Sequence, residues 1–181
     1  MTMLIAGLII FFAIHLLPIT PLKEPLYNWK GENGYKGVIS VISIIGFVLI
    51  VIGHTAGNEN NLWTPPDYAL TTAKVVMPFA FILFVASSLK SNISKLLPHP
   101  QLTAVLLWAA VHLIANGDTM SVMIFASFGI YALVDMLATK KAKGATEKYS
   151  FGRDVAVVAI GLGLFVVAMM FHQYLSGMPL I

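Results

Sequence analysis

The chain has 181 residues, of which 58% are hydrophobic and only 10% are charged, and its formal net charge is +3. Soluble globular domains carry about 25% charged residues, so this composition excludes that class and favours a chain surrounded by lipid. Cysteine is absent, which excludes disulfides, thiolate catalysis and thiolate-bound metals. Basic and aromatic residues do not gather in a pattern typical of nucleic-acid binding.

Six apolar segments along the chain are long enough, or nearly so, to cross a bilayer. A transmembrane helix needs roughly 20 apolar residues, within a range of about 17 to 25. The sequence therefore predicts an all-α, polytopic membrane bundle that forms a single domain over residues 1–181, with spans at 2–17, 37–53, 70–89, 101–115, 119–138 and 154–175. The first segment lacks a basic N-terminal region, and Pro18 and Pro21 stand where a signal-peptide cleavage site would be. We interpret it as a membrane span.

The positions of lysine and arginine predict the orientation of the chain. Every one of them except Lys74 falls in the predicted loops 19–36, 90–100 and 139–153, whereas the connections 54–69 and 116–118 contain none. The positive-inside rule then places the three basic loops in the cytoplasm and both termini outside. Because no additional targeting segment is evident, we expect a multi-pass protein of the bacterial inner membrane with periplasmic termini.

Most acidic residues near the spans have a structural interpretation. Asp118 and Asp154 stand where N-caps of the fifth and sixth helices are expected. Asp135 lies about one turn from Lys140, at the inner end of its span, and is expected to pair with basic residues there. Glu32 has no evident structural partner and is interpreted as solvated. Gly117, directly before Asp118, is interpreted as the C-terminal glycine of the fourth helix.

Five histidines are the strongest candidates for chemistry, because ionisable side chains within membrane spans are costly and often functional. Imidazole binds haem iron, copper or zinc well, and a neutral histidine is easier to bury than a carboxylate. His15 lies near the inner end of the first predicted span, and His54 lies at the outer end of the second. His99 is in the loop before the fourth span, and His112 is in the outer half of that span. His172 lies near the outer end of the sixth.

His112 is the first cofactor candidate among them. On a helix, Trp108 and Ala109 share its neighbourhood, so that a flat macrocycle could approach over the alanine and pack against the indole. A second interpretation is a histidine that only hydrogen-bonds to a neighbouring helix. A third is an outer-face metal site that His112 shares with His54 and His172. The residues alone leave these interpretations open.

Several motifs in a fixed order resemble the NnrU membrane protein family. They are His99-Pro100-Gln101, Leu107-Trp108, His112-Leu113 and Asn116-Gly117-Asp118, preceded by Ile14-His15 and by the segments 31–37 and 62–66. The resemblance extends over nearly the whole chain up to about residue 139, whereas the sixth span is less characteristic. The same motifs are similar to those of zeta-carotene isomerases, which are integral membrane proteins that use haem b.

The resemblance implies a haem b cofactor with His15 and His112 as its axial iron ligands. Trp108 is expected at the edge of the macrocycle, and His99 could hydrogen-bond a propionate. Whether His54 or His172 replaces His15 as a ligand stays open. The sequence departs from the isomerase pattern after His15, where it has Leu16, Leu17 and Pro18 instead of small residues.

Three functions follow as expectations from the resemblance. The first is a haem-binding redox or sensory component of nitrite and nitric oxide metabolism, with a reductase or an electron-transfer protein as partner. The second is a haem-dependent cis–trans isomerase of a lipophilic polyene such as zeta-carotene. The third is a non-catalytic membrane assembly partner of a reductase, in which the histidines are structural.

Overall fold

The computed structural model describes residues 1–55, 60–139, 148–176 and 180, and within these ranges it is helical, without a named strand. The helices, in chain order, are α1 (Thr2–Leu16), α2 (Lys23–Thr55), α3 (Ala69–Ser88), α4 (Pro100–Ala115), α5 (Thr119–Ala138) and α6 (Phe151–Ser176). Short 3-10 helices follow α1 and α3 at Leu17–Ile19 and Ile93–Lys95. The all-α prediction is confirmed.

The composition and length of the helices fit a multi-pass membrane protein. Five of them are long and apolar enough to cross a membrane, and α4 is a shorter apolar helix. Large aliphatic and aromatic side chains stay exposed on their surfaces, among them Ile44 at 62%, Phe79 at 61% and Ile130 at 62%. Exposed apolar side chains of this kind are costly in water but suit contact with lipid.

The predicted boundaries hold within about one residue for α1, α3, α4 and α5, and two helices begin earlier than expected. The loop predicted at 19–36 is wrong, because α2 is already helical from Lys23 onwards. Its helical pattern is interrupted at Gly31, which has φ 67° and ψ 178°, a conformation that favours glycine. Beyond this kink, Lys36 donates a hydrogen bond of 2.6 Å to the Glu32 carboxylate one turn away. This pair supports helical structure where hydropathy alone predicted a loop.

Helices α1, α2 and α5 belong to one compact unit, which comprises Met1–Pro65 and Asn116–Thr139. Its core is a cluster of Leu4, Leu8, Ile50 and Met120. Helices α1 and α2 approach closely at glycine, since a Cβ atom at Gly7 would lie 2.6 Å from the Ile50 amide nitrogen. Small residues at such contacts are typical of helix packing in membranes.

Helices α3, α4 and α6 belong to a second compact unit, which comprises Pro66–Ala115 and Lys140–Ile181. Val85 and Ala86 of α3 pack against Val157 of α6 in its buried core. Gly161 of α6 allows close approach to α3, because a Cβ atom there would lie 2.8 Å from the Cα atom of Ile82. Both units therefore use a glycine to bring two apolar helices together.

Candidate cofactor-binding histidines

His15 lies in the last turn of α1 and is half-buried. Its Nδ1 atom is 2.7 Å from the carbonyl oxygen of Phe11, one turn earlier. A carbonyl oxygen only accepts hydrogen bonds, so Nδ1 must carry the proton and Nε2 must carry the lone pair of the neutral ring. This is the tautomer that a histidine needs in order to bind a metal through Nε2.

Aromatic rings surround the His15 imidazole. The Phe11 ring stacks on it with a centroid distance of 4.1 Å and an angle of 27° between the planes. Tyr131 of α5 meets it edge-on at 6.0 Å. The contact with Phe11 follows from the spacing of four residues on one helix, whereas Tyr131 is distant in sequence and was not predicted. The imidazole therefore lies against one phenyl ring and one phenol ring.

His112 repeats the same arrangement in the last turn of α4. Its Nδ1 atom is 2.8 Å from the carbonyl oxygen of Trp108, which again places the proton on Nδ1 and the lone pair on Nε2. The Trp108 ring lies 5.3 Å from the imidazole, as the helical spacing predicted. Ala109 is buried, with 1% of its surface exposed, so it packs within the helices of its unit.

The structure brings His172 of α6 next to His112. Their ring centroids are 6.4 Å apart and the ring planes are inclined by 28°. The His172 Nδ1 atom lies 2.8 Å from the Ser176 hydroxyl, and that hydroxyl lies 3.0 Å from the His172 carbonyl oxygen. Of the candidate histidines, this is the pair that meets within one compact unit; His15 belongs to the other unit.

His99 and His54 lie elsewhere in their units. The His99 carbonyl accepts bonds from the amide and hydroxyl of Thr103, each at 2.9 Å, and His99 precedes α4 at the opposite end from His112. At a rise of about 1.5 Å per residue, the two are roughly 20 Å apart along the helix. His54 lies in the last turn of α2. Among the described residues, no group of three or more His, Cys, Asp or Glu side chains could hold a metal ion.

The two predicted connections without lysine or arginine, 54–69 and 116–118, contact each other in the first unit. The contact involves the motif Asn116-Gly117-Asp118. The Gly117 carbonyl accepts hydrogen bonds from the amides of Leu62, at 2.7 Å, and Trp63, at 3.4 Å. In the other direction, the Asn60 carbonyl accepts bonds from the amide and hydroxyl of Thr119, at 3.0 and 2.8 Å. Two separate pieces of the family resemblance therefore form one contact.

Gly117 is needed for close approach rather than for a left-handed turn. Gly117 follows the end of α4 at Ala115, as predicted, but it is not left-handed, since Gly31 is the glycine with positive φ among the described residues. A Cβ atom at Gly117 would instead collide with the carbonyl oxygen of Trp63. The position requires glycine because another backbone passes directly over it.

Of the two acidic residues that were predicted to cap helices, Asp118 is confirmed as a cap and Asp154 is not a cap. The Asp118 carboxylate accepts a hydrogen bond of 2.8 Å from the Ser121 amide and caps α5, as predicted. Burial raises the Asp118 pKa, but the hydrogen bonds from Ser121 outweigh it and leave the pKa below its ordinary value. Asp154 does not cap α6, because that helix begins at Phe151; its carboxylate accepts bonds from Asn92 instead.

Two further expectations concern acidic groups at the predicted inner ends. Asp135 accepts a hydrogen bond of 2.8 Å from the Thr139 hydroxyl and one of 3.3 Å from Tyr131. The neighbouring basic residues Lys140, Lys141 and Lys143, with which it was expected to pair, lie outside the described residues. Glu32 was interpreted as solvated; it is exposed and pairs with Lys36 at 2.6 Å.

An apolar cavity of about 200 Å³ lies between α3 and α4 in the second unit. Phe81 and Phe84 line it on α3, and Ala104 and Trp108 line it on α4. Since Trp108 also contacts His112, the cavity adjoins a candidate ligand. Its walls are almost wholly apolar and suit a hydrocarbon rather than a polar solute.

Comparison with known proteins places the chain in a family. A family model described as NnrU protein matches residues 3–180, which is nearly the whole length. No curated protein and no solved structure matches the chain. The match includes the sixth span, where the motifs are less characteristic. The chain belongs to the NnrU family.

Proposed function

We propose that this member of the NnrU family is a haem b-binding protein of the bacterial inner membrane, in which His15 and His112 each serve as an axial iron ligand. Its proposed role is a redox or sensory step in nitrite and nitric oxide metabolism, beside a reductase or an electron-transfer partner. The role comes from the family resemblance. When bound, haem b supplies a one-electron couple whose potential depends on its axial ligands and on the polarity around it.

One observation carries the haem proposal: His15 and His112 share the same hydrogen bond to the carbonyl four residues earlier, at 2.7 and 2.8 Å. Each bond fixes the ring orientation and directs the Nε2 lone pair away from its own helix. The two histidines that the family resemblance selected therefore both have the tautomer that iron ligation requires. Phe11 and Trp108 add aromatic surface beside each imidazole, and such surface packs well against a porphyrin.

The test is the absorption spectrum of the full-length protein, purified in detergent from haem-replete cells, before and after dithionite reduction. We expect a Soret band, with sharp reduced α and β bands, in the wild type, and His54→Ala should keep these bands unless His54 replaces His15 as a ligand. His15→Ala and His112→Ala should each lose these bands or shift them. His172→Ala identifies a replacement ligand, because it should change the spectrum only if His172 binds iron.

Two results would contradict the haem proposal. One is a wild-type protein without a Soret band. The other is a coloured protein whose spectrum is unchanged in both His15→Ala and His112→Ala. Unchanged host growth on nitrite in these two variants would favour the assembly-partner function, in which the histidines are structural.

A second candidate function is the isomerisation of a lipophilic polyene, and the apolar cavity beside Trp108 favours it. Its walls of Phe81, Phe84 and Ala104 suit a hydrocarbon chain, and it opens towards the surface of the unit. A bulky side chain at Ala104 should fill it. If the reduced protein converts a cis-carotenoid, Ala104→Phe should lower the rate at least about tenfold, while the haem spectrum stays unchanged. Haem-loaded wild type without any conversion would contradict this function.

A further inference from the structure

A cluster of basic side chains lies where the loop after α3 meets the start of α6, within the second unit. Asn92 holds this junction together. Its side-chain amide donates to the Tyr149 carbonyl at 2.9 Å, and its side-chain oxygen accepts from the Tyr149 amide at 3.0 Å. The same amide donates to the Asp154 carboxylate at 2.7 Å. Two segments that were both predicted to be cytoplasmic because of their lysines thus meet at one end of the unit.

Two of the basic side chains lie over the aromatic ring of Tyr149. The Lys95 Nζ atom lies 4.3 Å from the ring centroid, and the Arg153 guanidinium carbon lies 5.2 Å from it. Since both distances are measured to the same ring, the two charges lie within about 10 Å of each other, comparable to the Debye length at physiological salt. Lys148 adjoins the same ring in sequence and is exposed. The three cations repel one another unless an anion lies among them.

The acidic groups that the structure describes do not supply that anion. None of Lys95, Lys148 and Arg153 forms an ion pair with an acidic residue in the part of the chain that the structure describes. Asp154 adjoins Arg153 in sequence, but its oxygens accept hydrogen bonds from the Asn92 side chain and from the backbone amides of Asn92 and Ile93. Glu147, which precedes Lys148, lies outside the described residues. The positive charge of the cluster is therefore available to a ligand.

A cavity of about 440 Å³ lies beside these residues, lined by Lys148, Tyr149, Ser150 and Arg153. Its volume is sufficient for a phosphate group with its substituents. Gly152 leaves the approach open, since a Cβ atom there would meet no other atom within 4 Å. Arginine and lysine bind phosphate through charge-assisted hydrogen bonds, and the contacts of Lys95 and Arg153 with the Tyr149 ring bring these two groups together before binding.

We propose that the Lys95, Lys148 and Arg153 cluster binds a phosphate-bearing anion, as the headgroup of an anionic phospholipid or as free phosphate. The cluster lies at the ends of apolar helices, where basic pockets meet lipid headgroups. This site is independent of the histidines and of haem, so that either proposal can fail without the other.

The experiment measures the thermal unfolding of the full-length, detergent-purified protein against increasing dioleoyl phosphatidylglycerol, dioleoyl phosphatidylcholine or inorganic phosphate at constant ionic strength. We expect saturable stabilisation by phosphatidylglycerol and none by phosphatidylcholine. The double variant Lys148→Gln/Arg153→Gln should weaken this binding at least about tenfold. The matched control Lys23→Gln/Lys30→Gln, which removes the same charge from the predicted cytoplasmic side of the first unit, should change it by less than about twofold.

The outcomes separate the two sources of the anion and can overturn the site. Saturation by inorganic phosphate, lost in Lys148→Gln/Arg153→Gln, identifies free phosphate, whereas saturation by phosphatidylglycerol alone identifies lipid. Equal responses to the two lipids with none to phosphate would overturn the proposal. So would equal weakening in the double variant and in the control. If Lys148→Gln/Arg153→Gln unfolds, the single variant Lys148→Gln decides, because Lys148 is exposed and lines the cavity; binding equal to that of the wild type would then overturn the proposal.

Discussion

Replacing Gly117 by alanine should destabilise the first unit, because the added methyl group has no space. A Cβ atom at this position would collide with the carbonyl oxygen of Trp63, which belongs to the backbone and cannot rotate away as a side chain would. The segment around Trp63 must therefore move off the motif Asn116-Gly117-Asp118. A smaller rearrangement, such as a rotamer change, cannot relieve the collision.

The cost follows from the hydrogen bonds that this movement breaks. The Leu62 amide donates to the Gly117 carbonyl at 2.7 Å, and the Thr119 amide and hydroxyl donate to Asn60 at 3.0 and 2.8 Å. At about 1 kcal/mol net for each bond, the loss of these three lowers the free energy of unfolding by about 3 kcal/mol. For a chain of this length, that corresponds to a decrease in Tm of roughly 6–12 °C.

The assay is thermal unfolding of the full-length protein in one detergent, followed by tryptophan fluorescence. The matched control is Gly37→Ala, because Gly37 lies within α2 and a Cβ atom there meets nothing within 4 Å. That control should be neutral or stabilising by up to about 1 kcal/mol, as alanine favours a helix. A Gly117→Ala variant that unfolds within about 1 °C of its wild type would refute the reasoning. The double variant Gly117→Ala/Trp63→Ala should be no more stable than Gly117→Ala, since the collision involves the backbone of Trp63 and not its side chain.

Three further predictions test other parts of the structure. Gly7→Ala should lower Tm by roughly 3–10 °C, because the new Cβ would press on the backbone of α2 at 2.6 Å; a neutral result would contradict the close approach. The Asp118 pKa is below its ordinary value of 3.8, so its cap stabilises the protein above that pH and is lost as the pH falls through the lowered pKa. Asp118→Asn should remove this part of the decrease in Tm between about pH 6 and about pH 3, and an unchanged pH profile would count against the cap. Asn92→Ala should accelerate amide hydrogen exchange at Tyr149, whose amide it now satisfies at 3.0 Å, while equal protection in both proteins would show that the junction holds without it.

Hydropathy predicted the positions of the helices well because burial in lipid imposes one simple requirement, a run of about 20 apolar residues. The same criterion failed for the start of α2, which is polar and gains nothing from lipid. There, the helical pattern is interrupted at Gly31, and the Glu32–Lys36 pair supports the helix beyond it. A window that averages hydropathy does not detect either feature, although the spacing of four residues between opposite charges is visible in the sequence.

Contacts between segments that are distant in sequence were the ones that could not be predicted from the sequence. Asp118 was predicted correctly as a cap because its partner Ser121 is three residues away. Asp154 has the same surroundings in sequence, at the start of a helix, yet its partners are Asn92 and Ile93, about sixty residues earlier. A carboxylate next to a helix start can cap its own helix or accept hydrogen bonds from a distant segment. Only the packing of α3 against α6 selects between these two possibilities.

The histidines show the same division between local and distant determinants. The hydrogen bond that sets the tautomer of His15 or His112 spans four residues, so each tautomer is set by the histidine's own helix. The choice of a second ligand is not local: family resemblance selects His15, whereas folding of the second unit brings His172 to 6.4 Å from His112. Both ligand sets contain His112. The proposed haem binding therefore depends on His112 whichever partner completes the coordination, and the comparison of His15→Ala with His172→Ala separates the two ligand sets.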